Sequence, residues 1–213
     1  MERLAIFDVD YTLTKSETLF EFYIFMLKKD PSLIFYMPKS FGSAILFFFG
    51  LLDAASAKRS FLDFIKKFHE KEIDQYVKQF YEKRLSKIFY IDAINTLKKL
   101  KGEGYKIYLI SASAEFYLKE LYNIKEVDKV IGTRFKFENG HYTGEIIGEN
   151  NKGEEKVKRL LEEIKKENIE VDFKESYMYS DSLSDLPLFK LVGHPYLINS
   201  KKKKSNIEIL HWK

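Results

Sequence analysis

The chain of 213 residues contains no cysteine, which excludes disulfide bonds, thiol nucleophiles and zinc–thiolate sites. It also lacks a strong excess of either charge, because 36 Lys and Arg oppose 32 Asp and Glu, for a formal net charge of +4. So small an imbalance favours anionic small molecules but does not indicate a nucleic-acid-binding protein. Apolar residues make up 45% of the chain, which is enough for a folded core.

The start of the chain lacks the long apolar run of a signal peptide, because MERLAIFDVD reaches Asp8 and Asp10 after only a few apolar residues. We therefore expect a cytoplasmic location. The longest apolar stretch, LIFYMPKSFGSAILFFFGLL at residues 33–52, is interrupted by Pro38 and Lys39, which disfavours a membrane span. Two alternatives remain for it: a buried helical hairpin with Pro38 near its bend, or a patch that rests on a membrane surface.

The pattern of apolar residues divides the chain into two regions. Short β-rich runs predict strands at LAIFDV, KIYLIS, DKVIGT, SYMYS and HPYLINS, and helical spacing separates most of them. An Asn-Gly pair in TRFKFENGHYTGEIIG predicts a hairpin, and the basic run at 201–204 is expected to lie in solvent. Between residues 16 and 90 only helical patterns occur. We predict an α/β core at 1–15 and 91–213, with a Rossmann-like parallel sheet, and an inserted all-helical cap at 16–90.

Polar and small residues follow the predicted strands at the points where ligands bind in such sheets, beyond the carboxyl ends. These residues are Asp8, Asp10, Thr12, Thr14, Ser111, Ala112, Ser113, Lys152, Gly153, Lys156, Asp181 and Asp185. Each one alone is typical of a turn or a helix cap. Carboxylates that converge repel one another unless a cation lies among them, and oxygen ligands suit Mg²⁺. Mg²⁺ and a lysine together form a site for a phosphoryl group, which a carboxylate can attack.

Four segments, DVDYT, LISAS, NKGEEKV and SDSLSD, resemble in this order the four motifs of the haloacid dehalogenase (HAD) superfamily. The closing stretch YSDSLSDLPLFKLVGHPYLIN is similar to the branch that contains phosphoserine phosphatase, in which a helical cap follows the first motif. The resemblance covers nearly the whole chain outside the cap. It implies a HAD fold and a Mg²⁺-dependent phosphomonoester hydrolase that acts through an aspartyl-phosphate on a small phosphorylated metabolite.

The resemblance also implies the catalytic and metal-binding roles. Asp8 would be the nucleophile, and Asp10 would be the general acid that protonates the leaving oxygen and then the base that activates water. Asp8, the backbone carbonyl of Asp10, and Asp181 would hold Mg²⁺, and Asp185 would support the ion directly or through water. Asp8 and Asp10 can point to the same face only if the strand pairing continues past Asp8.

Further residues would bind the phosphate and the leaving group. The phosphate-binding candidates are Thr12, Ser111, Ala112, Lys152 and Lys156. The two lysines lie one helical turn apart, and we favour Lys152 because it is nearer to the start of the predicted helix. In the cap, Glu17 falls where phosphoserine phosphatase contacts the substrate amine, and Arg59 is a candidate partner for a substrate carboxylate. Tyr11 could narrow the mouth of the site.

Several functions share this core chemistry. A phosphoserine phosphatase, a phosphotransferase with another acceptor than water, and a lipid-phosphate phosphatase with an aromatic cap pocket all stay open. A non-enzymatic binder of a phosphorylated ligand is disfavoured, because every catalytic position is occupied. A dehalogenase is disfavoured too, because its chemistry does not require the full magnesium-binding set.

Overall fold

The computed structural model describes residues 1–201, 204 and 206–213, with the backbone alone at 40, 41, 44, 47 and 48. Its main sheet has six described strands, all parallel, in the order β3-β2-β1-β6-β7-β8. The strands are β1 Leu4–Phe7, β2 Lys106–Ala114, β3 Val127–Thr133, β6 Tyr177–Ser180, β7 His194–Ile198 and β8 Glu208–Leu210. The predicted α/β fold with a Rossmann-like parallel sheet is confirmed.

Helices cover both faces of this sheet, and the side chains of the central strand β1 pack into a buried cluster on each face. Leu4 and Ile6 belong to one buried cluster, whereas Ala5 and Phe7 belong to the other. Alternate side chains of a strand point to opposite faces, so a strand covered on both sides is apolar throughout. The helices are α1 Thr18–Lys29, α2 Met37–Phe48, α3 Ala54–Phe61, α4 Glu70–Lys83, α5 Ile91–Gly102, α6 Glu115–Leu118, α7 Glu154–Lys166 and α8 Leu186–Leu191.

The predicted cap region contains helices α1 to α4 and three 3₁₀ segments, at Pro31–Tyr36, Leu62–Lys67 and Leu85–Lys87. The chain leaves and re-enters the core at neighbouring points. Lys15 N–H donates to Ile88 O at 2.8 Å, and Tyr90 N–H donates to Leu13 O at 3.0 Å. These paired crossings fall at the predicted boundaries, while the division into core and cap stays a prediction.

The predicted hairpin forms as a separate two-stranded antiparallel pair, β4 Phe135–Glu138 and β5 His141–Ile146. Asn139 and Gly140 both have positive φ, 50° and 77°, as a tight two-residue turn requires. Gly140 O accepts a hydrogen bond from Glu70 N–H at 2.7 Å, so the turn packs against the start of α4. A Cβ at Gly140 would push the His69 imidazole aside, and the positive φ there disfavours any residue with a side chain.

The apolar stretch at 33–52 differs from the buried hairpin that its composition predicts. Pro38 is the second residue of α2, directly after the 3₁₀ segment Pro31–Tyr36, at a position where proline fits a helix. Phe35 is 83% exposed and Leu51 is 74% exposed, so the buried-hairpin interpretation is wrong. Among the described residues, no helix is both long and apolar enough to cross a bilayer.

The end of the chain carries a strand that the sequence patterns did not reveal. Strand β8 pairs with β7 at the sheet edge, and Trp212 packs against Phe7 and Tyr179. The Asn199 side chain fixes this segment by accepting from Trp212 N–H at 2.9 Å and donating to Trp212 O at 3.1 Å. A three-residue strand is too short to show a period. The prediction for the basic run at 201–204 lies partly outside the described residues.

Candidate active site

A cavity of about 420 Å³ lies at the carboxyl ends of β1, β2 and β6. We call its two sides the core wall and the cap wall. The core wall consists of Asp8, Asp10, Tyr11, Ser111, Ala112, Ser113, Asn150, Lys152, Lys156, Asp181, Ser182, Ser184 and Asp185. The cap wall consists of Glu17, Leu19, Phe20, Ala54, Ala57, Lys58 and Phe61. The structure thus brings most of the sequence-predicted site residues to one cavity.

Asp8 lies at the end of the central strand, where pairing continues by one more hydrogen bond. Its N–H donates to Tyr179 O at 2.9 Å, which extends the β1–β6 ladder to this residue. The chain then folds back tightly, because Leu13 N–H and Thr14 N–H both donate to Val9 O, at 2.8 and 2.9 Å. This turn keeps the residues just after Asp8 close to the strand end.

Asp10 is held at both carboxylate oxygens. Oδ1 accepts from Thr18 N–H at 2.6 Å, at the start of α1. Oδ2 accepts from the Ser113 hydroxyl at 2.6 Å and from the Ser111 hydroxyl at 3.3 Å. Asp10 therefore joins the first helix of the predicted cap to the end of β2, and its carboxylate points into the same cavity as that of Asp8.

The lysine in contact with Asp8 is Lys156, whereas Lys152 is the one that we favoured for the phosphate. Its Nζ donates to Asp8 Oδ1 at 2.8 Å and to Asp185 Oδ2 at 2.7 Å, and its side chain is buried. Lys152 also lines the cavity, but it is exposed. Helix α7 begins only after Gly153, so Lys152 precedes the helix and Lys156 lies within it, turned toward the sheet.

Two hydroxyl residues have other contacts than the phosphate contacts predicted for them. Thr12 is fully buried, is not one of the cavity-lining residues, and accepts from Asp181 N–H at 2.9 Å through Oγ1. Thr12 therefore positions the loop that carries Asp181. Ser111 lies on the core wall, and its Oγ also accepts from Ser113 N–H at 2.9 Å, so part of its role is to shape the irregular end of β2.

A buried asparagine, which the sequence patterns did not reveal, joins the segment before α7 to strands β2 and β3. Asn151 donates through Nδ2 to Ser111 O at 2.9 Å and to Ile131 O at 3.1 Å. Its own N–H donates to the Thr133 hydroxyl oxygen at 3.1 Å. The residue stands directly before Lys152 in NKGEEKV, and that position was the available signal for it.

Burial and crowding shift the acid–base behaviour of the core wall. Burial raises the pKa of Asp8 against the opposing charge of Lys156, and the nearby carboxylates of Asp185 and Asp10 raise it further. Burial, with the charge of Asp185, raises the pKa of Asp181 to about 6. The pKa of Lys156 is raised although burial alone would lower it, because Asp8 and Asp185 both favour the ammonium. Each carboxyl would be more strongly ionised beside a further cation.

The side chains present fit a Mg²⁺ site made of the oxygen donors that the resemblance implies. Among the described residues, no three acidic or imidazole side chains are grouped closely enough to hold a metal by themselves. Lys156 and Ser180 engage Asp185 Oδ2, and the Asp10 carboxylate is bound elsewhere. The oxygen donors left for the metal are Asp8, Asp181 and the backbone carbonyl predicted for this role, that of Asp10. Asp185 Oδ1 is buried with no hydrogen-bond partner among the described residues, as expected beside an ion or its water.

On the cap wall, the structure places Lys58 in the cavity and not Arg59. Lys58 Nζ donates across the cavity to Ala112 O and, at 2.5 Å, to Asn150 Oδ1. Burial lowers the pKa of Lys58 to about 8, against the raising effect of Asp10 and Glu17. Arg59 is exposed and donates to Ser56 Oγ at 2.8 Å, so its predicted place in the site is wrong.

Glu17 lines the cavity as predicted, beside apolar side chains such as Phe20 and Phe61. It is the residue directly before α1, and its side chain makes no helix-capping hydrogen bond. Burial, together with the negative charge of Asp10, raises the pKa of Glu17. Tyr11 has a positive φ of 55° and lies half-exposed on the core wall. The cap wall thus offers one carboxyl group, that of Glu17, and one amine, that of Lys58, in an otherwise apolar surface.

Comparison with known proteins gives one family and several relatives. The family model of haloacid dehalogenase-like hydrolases matches residues 5–190. A histidinol-phosphatase of Neisseria meningitidis serogroup C (strain 8013) is 25% identical over 223 aligned positions, which cover 93% of this chain and 91% of the relative.

Two solved structures show the same fold. A Bordetella pertussis Tohama I protein of unknown function matches with a TM-score of 0.88 at 22% identity, covering 99% of this chain and 98% of that one. A substrate-bound phosphoserine phosphatase matches with a TM-score of 0.68 at 20% identity, covering 98% of this chain and 93% of that one.

Proposed function

Because the chain belongs to the haloacid dehalogenase-like hydrolase family, we propose that it is a Mg²⁺-dependent phosphatase of small phosphomonoesters. The family predicted from the four sequence motifs is confirmed. The observation that carries the proposed activity is the buried contact of Lys156 with Asp8 at the end of β1. A lysine beside a strand-end carboxylate can bind a dianionic phosphoryl group where that carboxylate can reach phosphorus.

The proposed reaction has two steps on the core wall. A carboxylate oxygen of Asp8 attacks phosphorus, the bond to the leaving oxygen breaks, and Asp10 gives that oxygen a proton. Water then attacks the phosphorus of the aspartyl-phosphate, Asp10 takes the proton, and phosphate leaves with Asp8 restored. The contacts of Asp10 with Thr18 N–H and the Ser113 hydroxyl support this role, because they fix the carboxylate while it exchanges a proton.

The proposed metal site uses Asp8, the backbone carbonyl of Asp10, and Asp181, with support from Asp185. When bound, Mg²⁺ supplies positive charge that offsets the negative charge of the phosphoryl group and the carboxylates. Lys156 would supply part of the same positive charge, because its Nζ contacts Asp8 and Asp185 directly. Thr12 keeps Asp181 in place through the Asp181 N–H.

We propose residues 16–90 as a cap that closes over the leaving group. The paired chain crossings at Lys15–Ile88 and Leu13–Tyr90 support a boundary there. The cap wall would exclude water while phosphorus is attacked and would select the alcohol portion of the substrate. A cavity of about 420 Å³ suits a small metabolite.

For the substrate, we propose the phosphomonoester of an amino alcohol. Histidinol phosphate and phosphoserine, which relatives and structural neighbours are named for, both carry an amine. Glu17 is the one cap-wall carboxylate, and an ammonium group is its natural partner. The apolar side chains Leu19, Phe20 and Phe61 would accommodate the carbon skeleton.

A panel of phosphorylated metabolites, assayed with and without Mg²⁺, tests the proposal. Wild-type protein should release inorganic phosphate only with the metal, and transfer to added alcohols should be minor. Asp8→Asn should lower turnover by at least about 10³-fold, because the nucleophile is lost. Asp74→Asn is the matched control, since Asp74 lies outside the cavity and pairs with Lys119 on the surface. Equal turnover by Asp8→Asn and wild-type protein would refute the proposal.

A further inference from the structure

The outer side of the predicted cap exposes a group of large apolar side chains. We call it the outer patch, and its residues are Ile34, Phe35, Ile45, Leu46, Phe49 and Leu51. Their exposed fractions lie between 43% and 83%, whereas single exposed apolar residues elsewhere are scattered over the surface. A contiguous run of this kind in a short segment marks a binding surface.

The described side chains of helix α2 include exposed apolar residues and a buried polar one. Ile45 and Leu46 of α2 are exposed, and so is Phe49 directly after the helix, whose N–H donates to Ile45 O at 3.1 Å. By contrast, the Ser43 hydroxyl donates to Ser60 Oγ at 2.6 Å, and Ser43 is buried. Lys39 pairs with Asp63 on the following segment. Ile45 and Leu46 are therefore large apolar side chains that the described part of the protein leaves exposed, as expected of residues that contact another apolar surface.

The charges around the outer patch are mostly positive. Residues 28–67 contain seven Lys and Arg against three Asp, and residues 31–52 contain no acid at all. Lys58 lies in the cavity, which leaves six basic residues against the three aspartates. The pairs of Lys67 with Asp30, and of Lys39 and Lys66 with Asp63, leave this excess of positive charge unchanged. A second copy of the chain would bring the same positive charge against this face, which disfavours a dimer here.

We propose that the outer patch binds the surface of an anionic lipid membrane. Apolar side chains flanked by lysines are the composition of helices that lie in the interface between headgroups and acyl chains. The described helices are too short to span a bilayer, so the binding is superficial. Helix α2 packs on α3, and α3 contributes Ala57 and Lys58 to the cavity. The bound surface is therefore on the outside of the cap, and this proposal does not depend on the proposed reaction.

Flotation with lipid vesicles tests this proposal. Wild-type protein should float with vesicles that contain phosphatidylglycerol and should bind much less to phosphatidylcholine alone, with binding that weakens as salt is raised. The triple variant Phe35→Ser, Ile45→Ser, Leu51→Ser should bind at least about tenfold less, because it lacks the apolar side chains that would enter the membrane.

The control is a triple variant of exposed apolar residues outside the outer patch: Ile91→Ser, Ile147→Ser and Leu161→Ser. It should bind vesicles as the wild type does, and thermal melting should show that both triple variants are folded. Absence of wild-type binding to anionic vesicles would overturn the proposal, as would equal binding by the outer-patch variant. A wild-type dimer that the outer-patch variant breaks, without any vesicle binding, would overturn it in favour of self-association.

Discussion

The core wall and the cap wall enclose one cavity, but they differ in how their charged groups are held. On the core wall, Lys156 lies between Asp8 and Asp185, and Asp10 accepts three hydrogen bonds. On the cap wall, Glu17 and Lys58 stand among apolar side chains, and the contacts of Lys58 all reach across to the core. In the proposed reaction, the core wall would supply fixed charges, and the cap wall would select what is attached to the phosphate.

The largest expected effect separates two lysines within the core wall. Lys156→Met should lower kcat/KM by about 10³-fold, because it removes the charge beside the nucleophile. It should also lower the free energy of unfolding by about 3–5 kcal/mol, since Asp8 and Asp185 would be left buried without their partner. Lys152→Met, at the exposed rim, should stay within about tenfold of wild-type kcat/KM. Steady-state kinetics and urea unfolding of both variants measure these effects. A larger loss of kcat/KM in Lys152→Met than in Lys156→Met would indicate that Lys152 binds the phosphate.

A smaller effect separates two neighbouring cap residues. Lys58→Met should raise KM by about 10- to 100-fold, because Lys58 joins the cap wall to Ala112 O and Asn150 on the core wall. Arg59→Met should change KM by less than about threefold, as Arg59 only contacts Ser56 at the surface. Steady-state kinetics compares them. Similar KM values for the two variants would show that substrate binding does not depend on the contacts of Lys58 with the core wall.

The smallest effect concerns the choice of substrate. Glu17→Gln should reduce the preference for an amine-bearing phosphomonoester over its amine-free analogue by about tenfold, with little change in kcat for the analogue. The raised pKa of Glu17 means that its carboxylate is protonated at a higher pH than an ordinary glutamate. Wild-type preference should therefore fall as the pH is lowered into the acidic range, whereas that of Glu17→Gln should stay constant. A pH-dependent preference in the variant would exclude Glu17 as the amine contact.

The same contrast between the walls appears in what the sequence could predict. Strand ends are recognisable because a buried strand such as LAIF stops at a polar residue, and parallel strands end at one edge. Asp8, Asp10, Ser111, Asp181 and Asp185 could therefore be placed in one site before the structure was known. The choice between Lys152 and Lys156 could not be made, because it depends on the residue at which α7 begins.

The cap wall was harder to predict, because helical periodicity there is interrupted by short 3₁₀ segments. Helix α3 turns Lys58 toward the cavity and Arg59 away, and a shift of one residue in helix phase exchanges the two. The stretch at 33–52 has a composition that suits both a core helix and an exposed patch, so composition alone could not choose between them. Only its contacts, with Ser43 buried and Phe35 exposed, show which side faces the protein.

Borohydride trapping tests the central claim, that Asp8 captures phosphorus, most directly. An aspartyl-phosphate is reduced by borohydride to homoserine, and peptide mass spectrometry locates the modified position. We predict homoserine at position 8 when enzyme, Mg²⁺ and a turning-over substrate are quenched together, and none at Asp10, Asp181 or Asp185. Turnover with an unmodified Asp8, or with homoserine at another aspartate, would contradict the account.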